Sequence, residues 1–240
     1  MTTHKGKIEL TRESILDGSV RRWFANADPT MKVKTDEEHV ASIAAMLKAR
    51  PDAPGDVWVF AYGSLIWNPT FHSVERRRAD LRGYHRRFCL WTYLGRGTPD
   101  CPGLMLALEP GGRCRGVAYR IAEPELDHEL MLLWRREMVT DAYRTRWVKA
   151  VTPEGPVAAI AFVINAKHHR YAGRLPEAEV AAVIARAEGA LGPCHKYLFS
   201  TVEHLRQLGI RDHGMERLTR QVEALREPPT DLNAPPCPET

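Results

Sequence analysis

A glutamate sits where a hydrophobic residue is expected. If the segment after Pro124 is helical, Leu126, Leu130, Leu133 and Trp134 fall at i, i+4, i+7 and i+8, and Glu137, at i+11, lands near the middle of the same stripe. Burial of a carboxylate is penalised by desolvation and raises its pKa, on the order of units when burial is complete. Proteins prepare a Glu for general acid and base work in this way. The position equally suits an ion pair at the helix end with Arg135, Arg136 or Arg144, and periodicity does not separate the two readings. Glu129, at the edge of the stripe, is expected to face solvent.

A second feature with chemical content is Tyr62-Gly63-Ser64-Leu65, at the end of an apolar run that starts at Val57. The run from Val57 to Tyr62 is rich in β-branched and aromatic residues, as expected of a buried strand. Gly63 then removes a side chain where backbone can approach a ligand. Small-residue turns of this kind can present consecutive N–H groups to a carboxylate or phosphate, so an anion cradle is expected here. A core strand with a bend is the other reading.

Other constellations are absent or incomplete. Ser64 has Tyr62 and Ile66 where a nucleophile elbow needs glycines. His128-Glu129 begins like a zinc helix, but Leu132 occupies the second histidine's position. His168 and His169 are adjacent, and on an extended segment they point to opposite faces. There is no phosphate-binding loop and no dinucleotide fingerprint. A reaction without cofactor or metal is expected.

The elements that must position these groups are as follows. Residues 1–54 read as an N-terminal helical arm, with one helix from Thr11 to Phe24 and a second opened by the capping box Thr35 and Glu38. Val40, Ile43, Ala44 and Leu47 give the second helix an apolar face. The main domain is expected to span residues 55–227. It carries strands at 57–62, 87–91, 103–109, 114–121, 146–151 and 157–165, with Pro110-Gly111-Gly112 at hairpin spacing between two of them. Helices are expected at 124–138, 177–190, 195–208 and 215–226. The arginines of Glu75 to Arg87 are expected to be mostly solvated, and the Pro-rich segment 228–240 disordered. Strands and helices do not alternate as βαβ units, so the class is α+β, with a mostly antiparallel sheet or small barrel and helices packed outside.

Composition bounds the function. With 240 residues and 44% hydrophobic content the chain can bury a substantial core. Its 34 Lys and Arg against 30 Asp and Glu leave a formal charge of +4, too small to argue for nucleic acid or a membrane as partner. Cys89, Cys101, Cys114, Cys194 and Cys237 are odd in number and form no C-x-x-C pair, so reduced thiols and a cytoplasmic location are expected. No stretch approaches the roughly 18 apolar residues of a membrane span.

Val59 to Trp67, Arg86-Arg87-Phe88, Gly116 to Arg120, Arg136-Glu137 and Tyr197-Leu198 occur in an order and spacing that resembles the ChaC family of glutathione-specific γ-glutamylcyclotransferases. The similarity runs from about Val57 to about Leu208 and leaves out the arm and the Pro-rich segment. It implies a small, mostly antiparallel β-barrel surrounded by helices, and cleavage of glutathione to 5-oxoproline and cysteinylglycine. It implies Glu137 as the catalytic residue. The substrate-binding residues it implies are Val59, Phe60, Ala61, Tyr62, Gly63, Ser64 and Leu65, with Tyr143, Tyr197 and, less directly, Arg87. The link Met138 to Ala142 is longer than in some family members and leaves the placement of Tyr143 open. Cyclotransferases for other γ-glutamyl amino acids or γ-glutamylamines share the same cradle and Glu. A nucleic-acid-binding module built on the arginines with Phe88, Trp91 and Tyr93 is the reading from another class.

Overall fold

In the computed structural model, residues 8–28 and 30–227 are described. The disorder expected of residues 228–240, and Cys237 with it, lie outside them. Strands β1 (Val57–Ala61), β2 (Glu75–Thr92), β3 (Gly103–Ile121), β4 (Tyr143–Thr152) and β5 (Gly155–Ile164) close a barrel in the spatial order β1-β3-β2-β4-β5. Pairing along that order is antiparallel, and β1 meets β5 in parallel at Trp58↔Ala159 and Val59↔Ile160 to complete the ring. Closure pairs both edges of the five-stranded sheet.

Every residue of β1 is buried, because each face of the strand meets an apolar cluster. Val57, Val59 and Ala61 pack with Leu130, Leu133 and Trp134 of α4 (Leu126–Glu137) and with Ile15 and Ile43 of the arm. Trp58, Phe60 and Tyr62 belong to the cluster that holds α5 (Glu177–Arg186), α6 (Cys194–Gln207) and α7 (His213–Arg226). The α+β class and the helix-surrounded barrel are as expected. The arm shares the first cluster.

Several elements differ from expectation for local reasons. The arm's first helix is two, α1 (Arg12–Leu16) and α2 (Ser19–Ala27), divided where Gly18 adopts a φ of +74°. In α3 (Asp36–Lys48) the capping box of Thr35 and Glu38 forms, but the buried face is His39, Ile43 and Met46, while Val40 is 55% exposed and Ala44 faces solvent. Pro110-Gly111-Gly112 is not a hairpin. Residues 103–121 form one long strand paired with β2, and the two glycines take positive φ opposite a register shift between Arg82 and Tyr84. Glycines that read as a turn here make an irregularity within a ladder.

The arginine-rich segment is the first part of β2, and half of its arginines are not solvated. Arg76, Arg78 and Arg82 are exposed, whereas Arg77 lies over the Trp58 ring at 4.7 Å and Arg86 is buried. Arg86 donates to the Tyr62 carbonyl at 2.6 Å and pairs with Asp212 at 3.0 Å.

Barrel closure depends on a close approach of β3 to β1 at Gly116. A Cβ there would stand 2.2 Å from the Ala61 carbonyl oxygen. Gly116→Ala is therefore expected to lower stability by about 1–3 kcal/mol through overpacking, read as a fall in the denaturant midpoint. An unchanged midpoint would show that β1 and β3 can separate at no cost.

Candidate active site

At the end of β1 the chain passes through Tyr62 and Gly63 into a short turn of 3₁₀ helix, Ser64–Ile66. Glu137 is the last residue of α4, Tyr143 the first of β4, and Tyr197 lies on α6. These meet in one cavity lined by Tyr62, Gly63, Ser64, Leu65, Met105, Leu106, Glu137, Tyr143, Phe162 and Tyr197. It is narrow, with a volume of about 20 Å³. Larger depressions of about 560 and 370 Å³ lie elsewhere, one floored by Trp58 and Trp147, the other between β2 and α7. Neither holds Glu137 or the turn, and chemistry rather than size places the site.

The Glu137 side chain is 15% exposed and its carboxylate lies 2.9 Å from Nε of Arg136, whose side chain is 2% exposed. Both readings of Glu137 thus hold together: it is aimed into a cavity, and it is paired. Burial pushes its pKa up from the ordinary 4.5, and Arg136 pulls it back only in part. The net direction is upward even with the guanidinium counted. Arg136 in turn donates to Ser64 Oγ at 3.1 Å, to Thr70 Oγ1 at 3.1 Å and to the Asn68 carbonyl. One guanidinium thus ties the carboxylate to the turn.

Three tyrosines surround the carboxylate. Tyr143 donates its hydroxyl to the Leu106 carbonyl at 2.8 Å. Burial raises the pKa of Tyr62, Tyr143 and Tyr197, so each hydroxyl keeps its proton. Tyr197 is held edge-on by Phe88 and Trp67, and a Cβ on Gly63 would stand 3.0 Å from its hydroxyl.

The turn residues Tyr62, Gly63, Ser64 and Leu65, together with Glu137, Tyr143 and Tyr197, are brought together in the cavity. The link before Tyr143 does not displace it: Met138 and Ala142 are buried and Tyr143 pairs with Ile164 at the start of β4. Val59, Phe60 and Ala61 do not line the cavity; their side chains fill the two cores of β1. Arg87 is also apart, bound to Glu109 at 2.6 Å and to the Gly173 carbonyl. Met105, Leu106 and Phe162 were not singled out from sequence. Their apolar strand character is that of any core residue, and only register brings them to this end of the barrel.

Two expectations about nearby groups are corrected. Glu129 is not solvated: its side chain is 1% exposed and is gripped by Arg12 at 2.6 and 2.7 Å and by the His72 amide at 2.9 Å. His168 and His169 do not diverge; their rings stack with centroids 4.3 Å apart in a turn rather than an extended segment. Among the described residues no group of three His, Cys, Asp or Glu side chains is placed to hold a metal ion. Among the described residues no helix is long and apolar enough to cross a membrane.

Residues 57–225 match the family model described as ChaC-like protein. The chain belongs to the ChaC family. It is 41% identical over 217 residues to the glutathione-specific γ-glutamylcyclotransferase of Escherichia coli, covering 90% of this chain and 93% of that protein. The human glutathione-specific γ-glutamylcyclotransferase 1 is 32% identical over 65% of this chain and 72% of its own. The crystal structure of a γ-glutamylcyclotransferase specific to glutathione from yeast superposes with a TM-score of 0.67 at 22% identity, covering 72% of this chain and 98% of that one. This last likeness establishes the ChaC fold. The arm adds to it.

A raised carboxyl pKa has a sign in stability. Because the folded value lies above the unfolded one, the folded state binds the proton more tightly, and wild-type stability falls as pH rises from about 4.5 through the folded value. Glu137→Gln, neutral throughout and still able to accept from Arg136, is expected to match wild type below that window and to exceed it above. Urea unfolding across pH measures this; a variant less stable at neutral pH would mean that the ion pair outweighs desolvation.

Proposed function

We propose that this chain cleaves glutathione to 5-oxoproline and cysteinylglycine by intramolecular ring closure. The observation that carries the reading is Glu137, a carboxyl of raised pKa in the same cavity as the Tyr62-Gly63-Ser64-Leu65 turn. The names of the relatives support it.

The reaction needs a base for the substrate's α-ammonium, a cradle that folds the γ-glutamyl chain, and a proton for the departing amine. Glu137 supplies the first and the last. Once deprotonated, the α-amine attacks its own γ-carbonyl, forming the ring C–N bond while the bond to cysteine breaks. A chain held bent gains much of the rate from proximity. The turn's amides hold the α-carboxylate, and amides or a tyrosine hydroxyl meet the oxyanion. Ser64, oriented by Arg136, keeps the turn in register with the base. No water takes part, so the bond is broken by a lyase reaction.

The second reading, a cyclotransferase for other γ-glutamyl amino acids or γ-glutamylamines, rests on the same Glu and turn. Comparing 5-oxoproline release from glutathione and from γ-glutamylalanine separates them, with glutathione expected to be preferred. A nucleic-acid partner is disfavoured because Arg77, Arg86 and Arg87 are engaged within the protein. A cytoplasmic setting suits the free thiols of Cys89, Cys114 and Cys194.

Glu137→Gln is expected to fold and to lose about 10²–10⁴-fold in turnover, the range for a lost general base. In wild type kcat/KM is expected to rise with pH to a midpoint above 4.5, since the base must be ionised. Turnover should survive exhaustive chelation. A Gln variant with near-full activity would remove Glu137 from this role.

A further inference from the structure

The arm reaches the active site through a short segment of strained backbone. Thr70 has a φ of +60°, a left-handed conformation that is rare for a β-branched residue and costs on the order of 1–3 kcal/mol. Such a conformation persists only where its surroundings fix it. Around Thr70 they do: Arg12 of α1 donates to its carbonyl at 3.1 Å, and Arg136 donates to its hydroxyl at 3.1 Å. The flanking residues are tied in the same way. Asn68 donates its side-chain amide to the Leu10 carbonyl at 2.8 Å, and the His72 amide donates to Glu129, which also receives both terminal nitrogens of Arg12.

The two sides of this segment therefore serve two guanidiniums. From outside, Arg12 holds it. From inside, its oxygens hold Arg136, which in turn contacts Glu137 and Ser64. Resting on the proposed reading of Glu137, we infer that Arg12 is a positioning residue for the reaction: through Thr70 and Glu129 it fixes the 68–72 segment that aims Arg136 at the catalytic carboxylate. Glu129, two turns before Glu137 on α4, anchors that hold to the helix carrying the base.

The alternative is that α1 only covers the core through Ile15. The pH profile separates the two. The charged and titratable groups that bear on the Glu137 carboxylate are Arg136 from α4, Tyr62 from the end of β1, Tyr143 from β4 and Tyr197 from α6. The tyrosines stay protonated, so Arg136 is the cation whose aim sets the ionisation of Glu137. If the segment relaxes, Arg136 stabilises the carboxylate less and the Glu137 pKa rises.

Three variants are compared by unfolding and by the pH dependence of kcat/KM for glutathione. Arg12→Ala removes the outer hold. Thr70→Gly accepts the left-handed backbone freely but deletes the hydroxyl that Arg136 uses. Ile15→Ala weakens packing of the arm without touching these hydrogen bonds. Arg12→Ala and Thr70→Gly are expected to move the acid limb to higher pH by about half a unit or more, roughly a threefold change in the ionisation constant, with Arg12→Lys restoring part of it. Ile15→Ala is expected to lose stability with the limb unmoved. The inference is overturned if folded Arg12→Ala and Thr70→Gly keep the wild-type limb, or if Ile15→Ala moves it as far. Should Arg12→Ala fail to fold, Arg12→Gln takes its place in the comparison, with the same shift expected and an unmoved limb overturning the inference. If wild type does not turn over glutathione, the proposed reaction fails rather than this inference, and infrared titration of the Glu137 carboxyl, identified by its absence in Glu137→Gln, makes the same comparison.

Discussion

A guanidinium and a carboxylate buried side by side govern this structure. Arg136 and Glu137 are consecutive on one helix end, and removing both from water costs several kcal/mol per ion unless further partners compensate. Arg136 finds them in Asn68, Thr70 and Ser64, all on the stretch that follows β1. Glu137 finds fewer, and burial leaves its pKa raised. The imbalance suits one member of the pair to hold the turn and the other to the proposed acid–base role.

The barrel supplies the rigid frame this pair requires. β3, β4 and β5 each end or pass beside the cavity, so Leu106, Tyr143 and Phe162 are fixed by strand register, and Tyr62 follows directly on the last residue of β1. Gly63 leaves room for the Tyr197 hydroxyl, and the Leu106 carbonyl accepts from Tyr143. On the far side of α4 the arm packs Ile15, Val20, Ile43 and Met46 into the cluster that supports the helix carrying Glu137. The family model matches residues 57–225, and the site draws part of its support from residues before 57.

How much of this could be read from sequence depended on the range of the interaction. The apolar stripe of α4 exposed Glu137 because helical periodicity is local, and the aromatic run into Gly63 marked β1 and the turn. Glu129 was misread for the opposite reason: its partner Arg12 lies 117 residues away, and no local pattern announces a buried pair closed at that distance. Arg86 was misread likewise, since Asp212 and the Tyr62 carbonyl neutralise it from other elements. Gly111-Gly112 reads equally well as a turn or as a break inside a long strand, and the continuous pairing with β2 decides it. The buried face of α3 rotated to His39 and Met46 because packing against α4, not the count of apolar residues, sets which side is covered.

A buried carboxyl of raised pKa beside the Tyr62-Gly63-Ser64-Leu65 turn suits an attack that comes from the substrate's own amine. The direct test is to turn over glutathione with the wild-type protein in water enriched in oxygen-18 and to analyse the products by mass spectrometry. Ring closure driven by Glu137 predicts cysteinylglycine together with 5-oxoproline that carries no label. Glutamate bearing one oxygen-18 would mean that water is the nucleophile, and would contradict the account.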